Sequence, residues 1–283
     1  MCVCVVVAQT TANEKPVCAL TLLDSELYLA RSGSHDIDVF SVPTFTQCRR
    51  LTVTCSSLLA VVSFRHSHAV TDMTSCPRHR CLYVADGCGR VVRRLDRGDG
   101  REVTSWSVAD GRCPAGLSMT DAFNVVVASS DSLSLFVYTP LGCRVCQINV
   151  DRPGLVGLLH GVQLDTGSFV AIGLTESGDR LGCVCRDGAD VPELIDCPGS
   201  PVHTAQVRGP PGCSYVWLAE REVSAGVRLI QVPPPSRRSV SSLRRVELVE
   251  PDKICWDDSA HCLYAVDQGH VKVLRVEMKC DLY

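Results

Sequence analysis

No stretch of this chain is apolar for long enough to cross a membrane as a helix. Hydrophobic residues make up 46% of the 283 positions, yet they come in short runs, far below the ~20 that a bilayer requires. No window keeps helical i, i+3, i+4, i+7 spacing for three turns, which argues against an α-helical fold. Aromatic residues are scarce, 5% of the chain, so stacking platforms for single-stranded nucleic acid are few. Charge of one sign is also missing. The 28 basic residues face 31 acidic ones for a net charge of −3, which gives no whole-domain field to attract a polyanion. Nucleophile and phosphate-binding signatures are absent: there is no G-x-S-x-G, P-loop, G-x-G-x-x-G or H-E-x-x-H. The N-terminal MCVCVVVAQTTANEK lacks a basic n-region, and its apolar run is short for a signal peptide. We read it as a strand and expect a cytoplasmic protein.

Cysteine, by contrast, is plentiful. Its 18 copies are an even number, but their share falls short of the roughly 8–10% that marks a small disulfide scaffold. Many lie inside apolar runs such as CVCVVV, GCVCR and KICWDD. Reduced, buried thiols acting as small hydrophobes are the preferred reading. Pairs within one hairpin, Cys76 with Cys81 or Cys255 with Cys262, are the rival. Cys143 and Cys146 form a single CxxC, but the residues after them read as strand and turn. A zinc site would need a second ligand pair, so no metal is expected there.

The informative feature is a repeat. Short apolar stretches ending in a polar turn begin at positions 26, 81, 124, 169, 216 and 262, at intervals of 55, 43, 45, 47 and 46. Another apolar stretch precedes each one: VCALTLL, AVTDMTS, PAGLSMT, LHGVQLD, VHTAQVR and DKICWDD. An alternating strand follows each turn, and most units add a fourth. Period-two alternation bounded by Gly, Asp, Ser and Pro is the pattern of strands and turns. Four strands recurring six times predict an all-β fold, a six-bladed β-propeller of four-stranded antiparallel blades in one domain. The expected blades are 17–54, 69–109, 114–150, 155–197, 201–249 and 252–283. Strand 2–8 is expected to close the last blade, hiding an otherwise open edge; the terminal EMKCDLY is the other candidate for that place.

Two units, CLYVADGCGRVVRRLD and CLYAVDQGHVKVLRV, resemble the NHL repeat. That repeat reads as an apolar strand, V-A-D, a short turn and a second strand. ELYLARSGSHDIDVF matches more loosely, with Arg31 in place of the aspartate. The other blades place Ser129, Gly173 and Glu220 near that position. The resemblance to the propellers of tripartite-motif NHL proteins implies a non-enzymatic protein-interaction scaffold without a cofactor, with a link to substrate recognition in ubiquitin ligation. Some members of that family bind RNA. No RING finger or B-box pattern occurs in this sequence. Six-bladed propellers also include gluconolactonase-type hydrolases, which hold a divalent metal in the channel. The hard-oxygen candidates for such a site are Glu176, Glu222, Asp131 and Asn124.

Asp86 and Asp267 recur at one blade position and are expected to accept backbone N–H bonds across the turn that follows. That is a structural role, not a catalytic one. Inter-blade loops and the turns between second and third strands share one face. It would collect Arg31, His35, Arg65, His66, His68, Arg90, Arg152, Arg180, Arg221 and His270. Arginine suits protein hot spots, so a protein partner is expected ahead of RNA, with the chain itself a monomer. The segment PPPSRRSVSSLRR reads as an exposed basic loop of the fifth blade.

Overall fold

A computed structural model describes residues 15–42, 44–53, 70–186, 191–209, 214–222, 225–233 and 240–275. Its elements are strands, with one 3-10 turn at Ala109–Gly111. Blade one is β1 (Val17–Leu23), β2 (Glu26–Arg31), β3 (Asp36–Ser41) and β4 (Thr46–Thr52). Blade two is β5 (Val70–Cys76), β6 (Cys81–Asp86), β7 (Val91–Asp96) and β8 (Glu102–Ser107). Blade three is β9 (Pro114–Met119), β10 (Val125–Ser129), β11 (Ser134–Tyr138) and β12 (Arg144–Asn149). Blade four is β13 (Leu155–Gln163), β14 (Phe169–Thr175), β15 (Arg180–Cys185) and β16 (Glu193–Ile195). Blade five is β17 (Ser200–Val207), β18 (Ser214–Arg221), β19 (Gly226–Val232) and β20 (Ser241–Glu247). Blade six is β21 (Pro251–Asp257), β22 (Cys262–Asp267) and β23 (His270–Arg275). Within each sheet the strands pair antiparallel in sequence order.

The sequence repeat is therefore the six-bladed propeller. The repeated second strands are β2, β6, β10, β14, β18 and β22. They are largely hidden: every residue of Cys81–Asp86 and of Val125–Ser129 is buried. A strand covered on both faces needs apolar side chains on both, which is why these six segments read as continuous hydrophobic runs. Outer strands show the other pattern. β8 alternates half-buried and exposed residues, and β12 is largely exposed.

The core lies between blades rather than within them. Six clusters of buried side chains fill the junctions, as where Tyr83 and Val127 meet between blades two and three, or Trp217 and Leu263 between five and six. The ring closes because Tyr264 and Val266 of blade six pack with Leu27 and Leu29 of blade one. Inner strands touch in succession around the ring, and β1 meets β21. The expected closing strand 2–8, the EMKCDLY segment and the long connection 55–68 lie outside the described residues. Blade six has three strands among those described. The basic segment of blade five ends as strand, since β20 starts at Ser241, while residues 234–239 also lie outside.

Candidate functional site

The channel is lined by β1, β5, β9, β13, β17 and β21, and each of these breaks register near its start, β13 twice. Shifts fall at Val17/Ala19, Val70/Asp72, Leu158/His160, Pro201/His203 and Pro251/Ile254, and opposite Ala128/Ser129 in blade three. A bulge re-aims the side chain that follows it. The residues just past the shifts are Ala19, Asp72, Gly116, His160, His203 and Ile254, which pair with Ala30, Ala85, Ala128, Ile172, Ala219 and Ala265. They form equivalent positions around the ring. Three of them are titratable, and Lys253 reaches the same place from the bulge of β21.

Asp72 sits at the centre and is 1% exposed. Its Oδ2 accepts the Leu117 N–H at 2.8 Å and lies 3.4 Å from Nε2 of both His160 and His203. Lys253 Nζ stands 3.4 Å from Oδ1. The imidazole rings stack with centroids 3.8 Å apart. Gly116 makes room for this arrangement, because a Cβ there would run into the Leu159 carbonyl and the His160 ring.

The partners assign the protons. His160 Nε2 is 3.1 Å from the Leu117 carbonyl, which can only accept, so Nε2 carries hydrogen. His160 Nδ1 then accepts from the Thr204 hydroxyl at 2.8 Å. The Ile254 N–H points at His203 Nδ1 at 3.5 Å, so His203 also holds its proton on Nε2, aimed at Asp72. Burial depresses the pKa of both rings; for His160 the neighbouring His203 depresses it further, and for His203 Asp72 opposes the effect. Burial would push the Asp72 carboxyl up, but Lys253 and the His203 N–H outweigh it and hold the group well below the usual carboxylate range. The result is a buried Asp–Lys ion pair clasped by two neutral imidazoles.

Asp72, His160 and His203 place three ligand-type atoms within 4.8 Å of one another, and two histidines with one carboxylate is a donor set that some metals use. The geometry does not fit a resident cation. Both Nε2 atoms are protonated, Oδ2 is engaged by a backbone N–H, and Lys253 already supplies the positive charge. A metal would have to strip two hydrogen bonds and sit against an ammonium. This cluster also has no ring lone pair left for general-base work.

Beyond the histidines lies a cavity of about 220 Å³, floored by His160 and His203 and lined by the later halves of the inner strands, including Thr74, Ser118, Gln206 and Trp256. It occupies the half of the channel toward the turns that follow the inner strands. That is the opposite end from the arginine- and histidine-bearing loops. Sequence reasoning passed over the channel cluster. Its signal was there to read: polar residues intrude into inner strands of apolar pattern, in AVTDMTS, LHGVQLD, VHTAQVR and DKICWDD.

The described residues expected at the loop face are spread over the blades and their junctions. Arg31 is 8% exposed, donating to Asp38 at 2.7 Å and to the Lys15 carbonyl at 2.9 Å. His35 and Arg90 are exposed, and Arg90 donates to the Gly111 carbonyl at 2.8 Å. Arg152 donates to the Pro192 carbonyl at 2.7 Å, and His270 is half-buried at the start of β23. Arg65, His66 and His68 lie outside the described residues. Arg180 of blade four and Arg221 of blade five lie close enough to influence each other electrostatically. Arg221 pairs with Asp252 at 3.2 Å, whereas Arg180 has no ion pair within 4 Å among the described residues. Burial and then Arg221 lower the Arg180 pKa. Of the oxygen ligands considered from sequence, Asp131 accepts from Ser129 at 2.6 Å and from the Cys113 N–H. It joins no cluster with Glu176, Glu222 or Asn124.

Asp86 Oδ1 accepts the Gly89 N–H across its turn at 2.7 Å, and Oδ2 takes Arg93 at 2.8 Å. Asp267 works differently. It accepts N–H groups from the preceding connection, Glu250 at 2.6 Å and Val249 at 3.1 Å, and pairs with Lys272. Arg93 continues to Glu102 at 2.5 Å, so one charge ladder crosses β6, β7 and β8. Blade one carries the same ladder with signs exchanged: Arg31 on β2, Asp38 on β3 and Arg50 on β4, at 2.7 and 2.8 Å. Arg31 thus replaces the motif aspartate because Asp38 replaces the arginine.

No family model matches this chain, and no curated protein does. Solved structures share the propeller. Hydrazine synthase from Kuenenia stuttgartiensis is similar with a TM-score of 0.65 at 15% identity, over 94% of this chain and 78% of that one. A streptogramin B lyase gives 0.61 at 8%, over 95% and 97%. The β-propeller domain of Myceliophteria thermophila Cps50 (Swd1) gives 0.57 at 11%, over 95% and 100%. What these share with the chain is the fold, and at such identities the likeness carries no activity.

Proposed function

We propose that this propeller is a non-enzymatic platform that grips a protein partner through the face formed by the inter-blade connections and the turns between second and third strands. The observation that carries this reading is the self-sufficiency of the channel. Its acid and histidines are engaged by one another and by Leu117, Thr204 and Ile254, Lys253 pairs with the acid, and no cluster of three carboxylate or amide oxygens stands there among the described residues. A lactonase-type centre needs such a cluster with an open position. On the loop face, Arg90 is exposed and Arg180 has no ion pair among the described residues, which leaves both able to meet a partner. The resemblance to tripartite-motif propellers supports a role in recognising substrates for ubiquitin ligation.

Affinity capture tests this, comparing the wild type with the double variant Arg90→Glu, Arg180→Glu and with Arg208→Glu at the opposite end. A protein lost from the double variant and retained by Arg208→Glu supports the assigned face. Stoichiometric co-purification of calcium or zinc without a protein partner would overturn the scaffold reading. So would a rise of several degrees in the unfolding midpoint with millimolar divalent cation, since a ligand that binds only the folded state stabilises it.

A further inference from the structure

Cys76 ends β5 and Cys81 begins β6, and the register places them directly opposite each other across a four-residue turn. They are 0% and 2% exposed, and both are free thiols. Residues opposite each other in an antiparallel pair have Cα atoms about 4.5–5.5 Å apart, inside the range a disulfide spans. The two sulfurs can therefore bond without rebuilding the backbone. No other cysteine pair considered from the sequence has this register. Cys255 faces Tyr264, while Cys262 faces Asp257. Cys183 and Cys185 lie two apart on one strand.

The surroundings favour reaction at one sulfur. His79, in the turn between them, places Nδ1 3.1 Å from Cys76 Sγ. The facing Cys81 thiol and then His79 outweigh burial and draw the Cys76 thiol below its ordinary range. Cys81, which holds its proton toward Cys76, is pushed the other way. A histidine and a second thiol beside the sulfur favour the thiolate, which is the reactive form of cysteine. Pro77, Arg78 and Arg80 are exposed, and His79 is half-buried.

We propose that Cys76 and Cys81 are a reactive dithiol that a small hydroperoxide converts to a disulfide, with Cys76 as the attacking sulfur and His79 positioned to handle its proton. The Cys76 thiolate attacks the terminal oxygen, the O–O bond breaks, and the leaving oxygen takes a proton to depart as water or alcohol. Cys76 becomes a sulfenic acid. The Cys81 sulfur then attacks that sulfur, an S–S bond forms, and the hydroxyl departs with the Cys81 proton as a second water. Two thiols are oxidised and one peroxide is reduced. The bond fastens the hairpin whose inner strand carries Asp72. It forms beside Tyr83, whose ring lies 5.9 Å from Trp106, so indole fluorescence reports it.

Hydrogen peroxide added to the reduced full-length chain, followed by peptide mass mapping over time, tests this. The Cys76–Cys81 link is expected about tenfold faster than loss of the exposed Cys48, Cys143 or Cys146 thiols. Trp106 fluorescence should change on the same time course. Cys81→Ser is expected to leave a sulfenic acid on Cys76 that a 1,3-dione probe captures, and His79→Gln to slow the reaction about tenfold with circular dichroism unchanged. If Cys81→Ser misfolds, Cys81→Ala gives the same readout. The proposal fails if Cys76 oxidises no faster than the exposed thiols, or if neither Cys81 variant yields the dione adduct while Cys143 is oxidised.

Discussion

At the scale of the residue, the centre of the ring is an electrostatic lock. The two neutral histidines give it a pH signature. Their folded pKa values lie below the unfolded one, so the unfolded chain binds more protons once pH drops under about 6.5. The stability they allow is therefore complete above that pH and declines as pH falls toward the folded values, by up to about 1.4 kcal/mol per pH unit per histidine. Urea unfolding at pH 7.5, 6.5 and 5.5 should show this fall, and His160→Gln should flatten it. Asp72, depressed as well, adds a further loss only at more acidic pH, below its unfolded value. Asp72→Asn should cost about 1–3 kcal/mol at neutral pH, because half-buried Lys253 then loses its ion-pair partner. Gly116→Ala should cost about 1–3 kcal/mol by overpacking against His160, read as a lower urea midpoint at unchanged slope.

At the scale of the element, the blade is held by more than its apolar seams. The ladders Asp86–Arg93–Glu102 and Arg31–Asp38–Arg50 tie second, third and fourth strands together with opposite polarity. Arg31→Asp or Asp38→Arg alone places like charges in a buried site and should cost about 3–5 kcal/mol. The exchanged pair, Arg31→Asp with Asp38→Arg, should recover part of that loss, since Arg50 then faces a like charge at position 38. A double-mutant cycle of unfolding free energies measures the coupling, and an additive double variant would show that the pair is not a unit. The strands themselves were legible in sequence, since a buried second strand must be apolar on both faces. Partners of the motif position were not. Arg31 reads as a loop-face arginine until Asp38, seven residues on, is seen beside it.

At the scale of the molecule, stability is shared between neighbours around a closed ring. Each core belongs to two blades, and Trp217 and Trp256 pack across the seam of five and six with ring centroids 6.1 Å apart. Ending the chain after residue 249 would uncover both faces that blade six occupies. The shortened protein is expected to lose its cooperative transition and to aggregate, with Trp217 emission shifted to the red. Retention of a sharp urea transition would show that the blades are energetically independent, as in open repeat arrays.

The number of blades, the strand order within each and the hidden second strands follow from the sequence by itself, because spacing and alternation are local properties that one chain displays directly. The positions of Asp86 and Cys81 on a strand and at its turn follow in the same way. Tertiary structure alone decided which polar residues meet. Asp72, His160, His203 and Lys253 are separated by most of the chain and come together only because a ring superimposes equivalent positions of different blades. The polarity of the blade-one ladder and the direct facing of Cys76 and Cys81 likewise depend on strand register, which composition and period leave open. Repetition writes the scaffold into the sequence many times over, whereas each side-chain meeting across the ring occurs once.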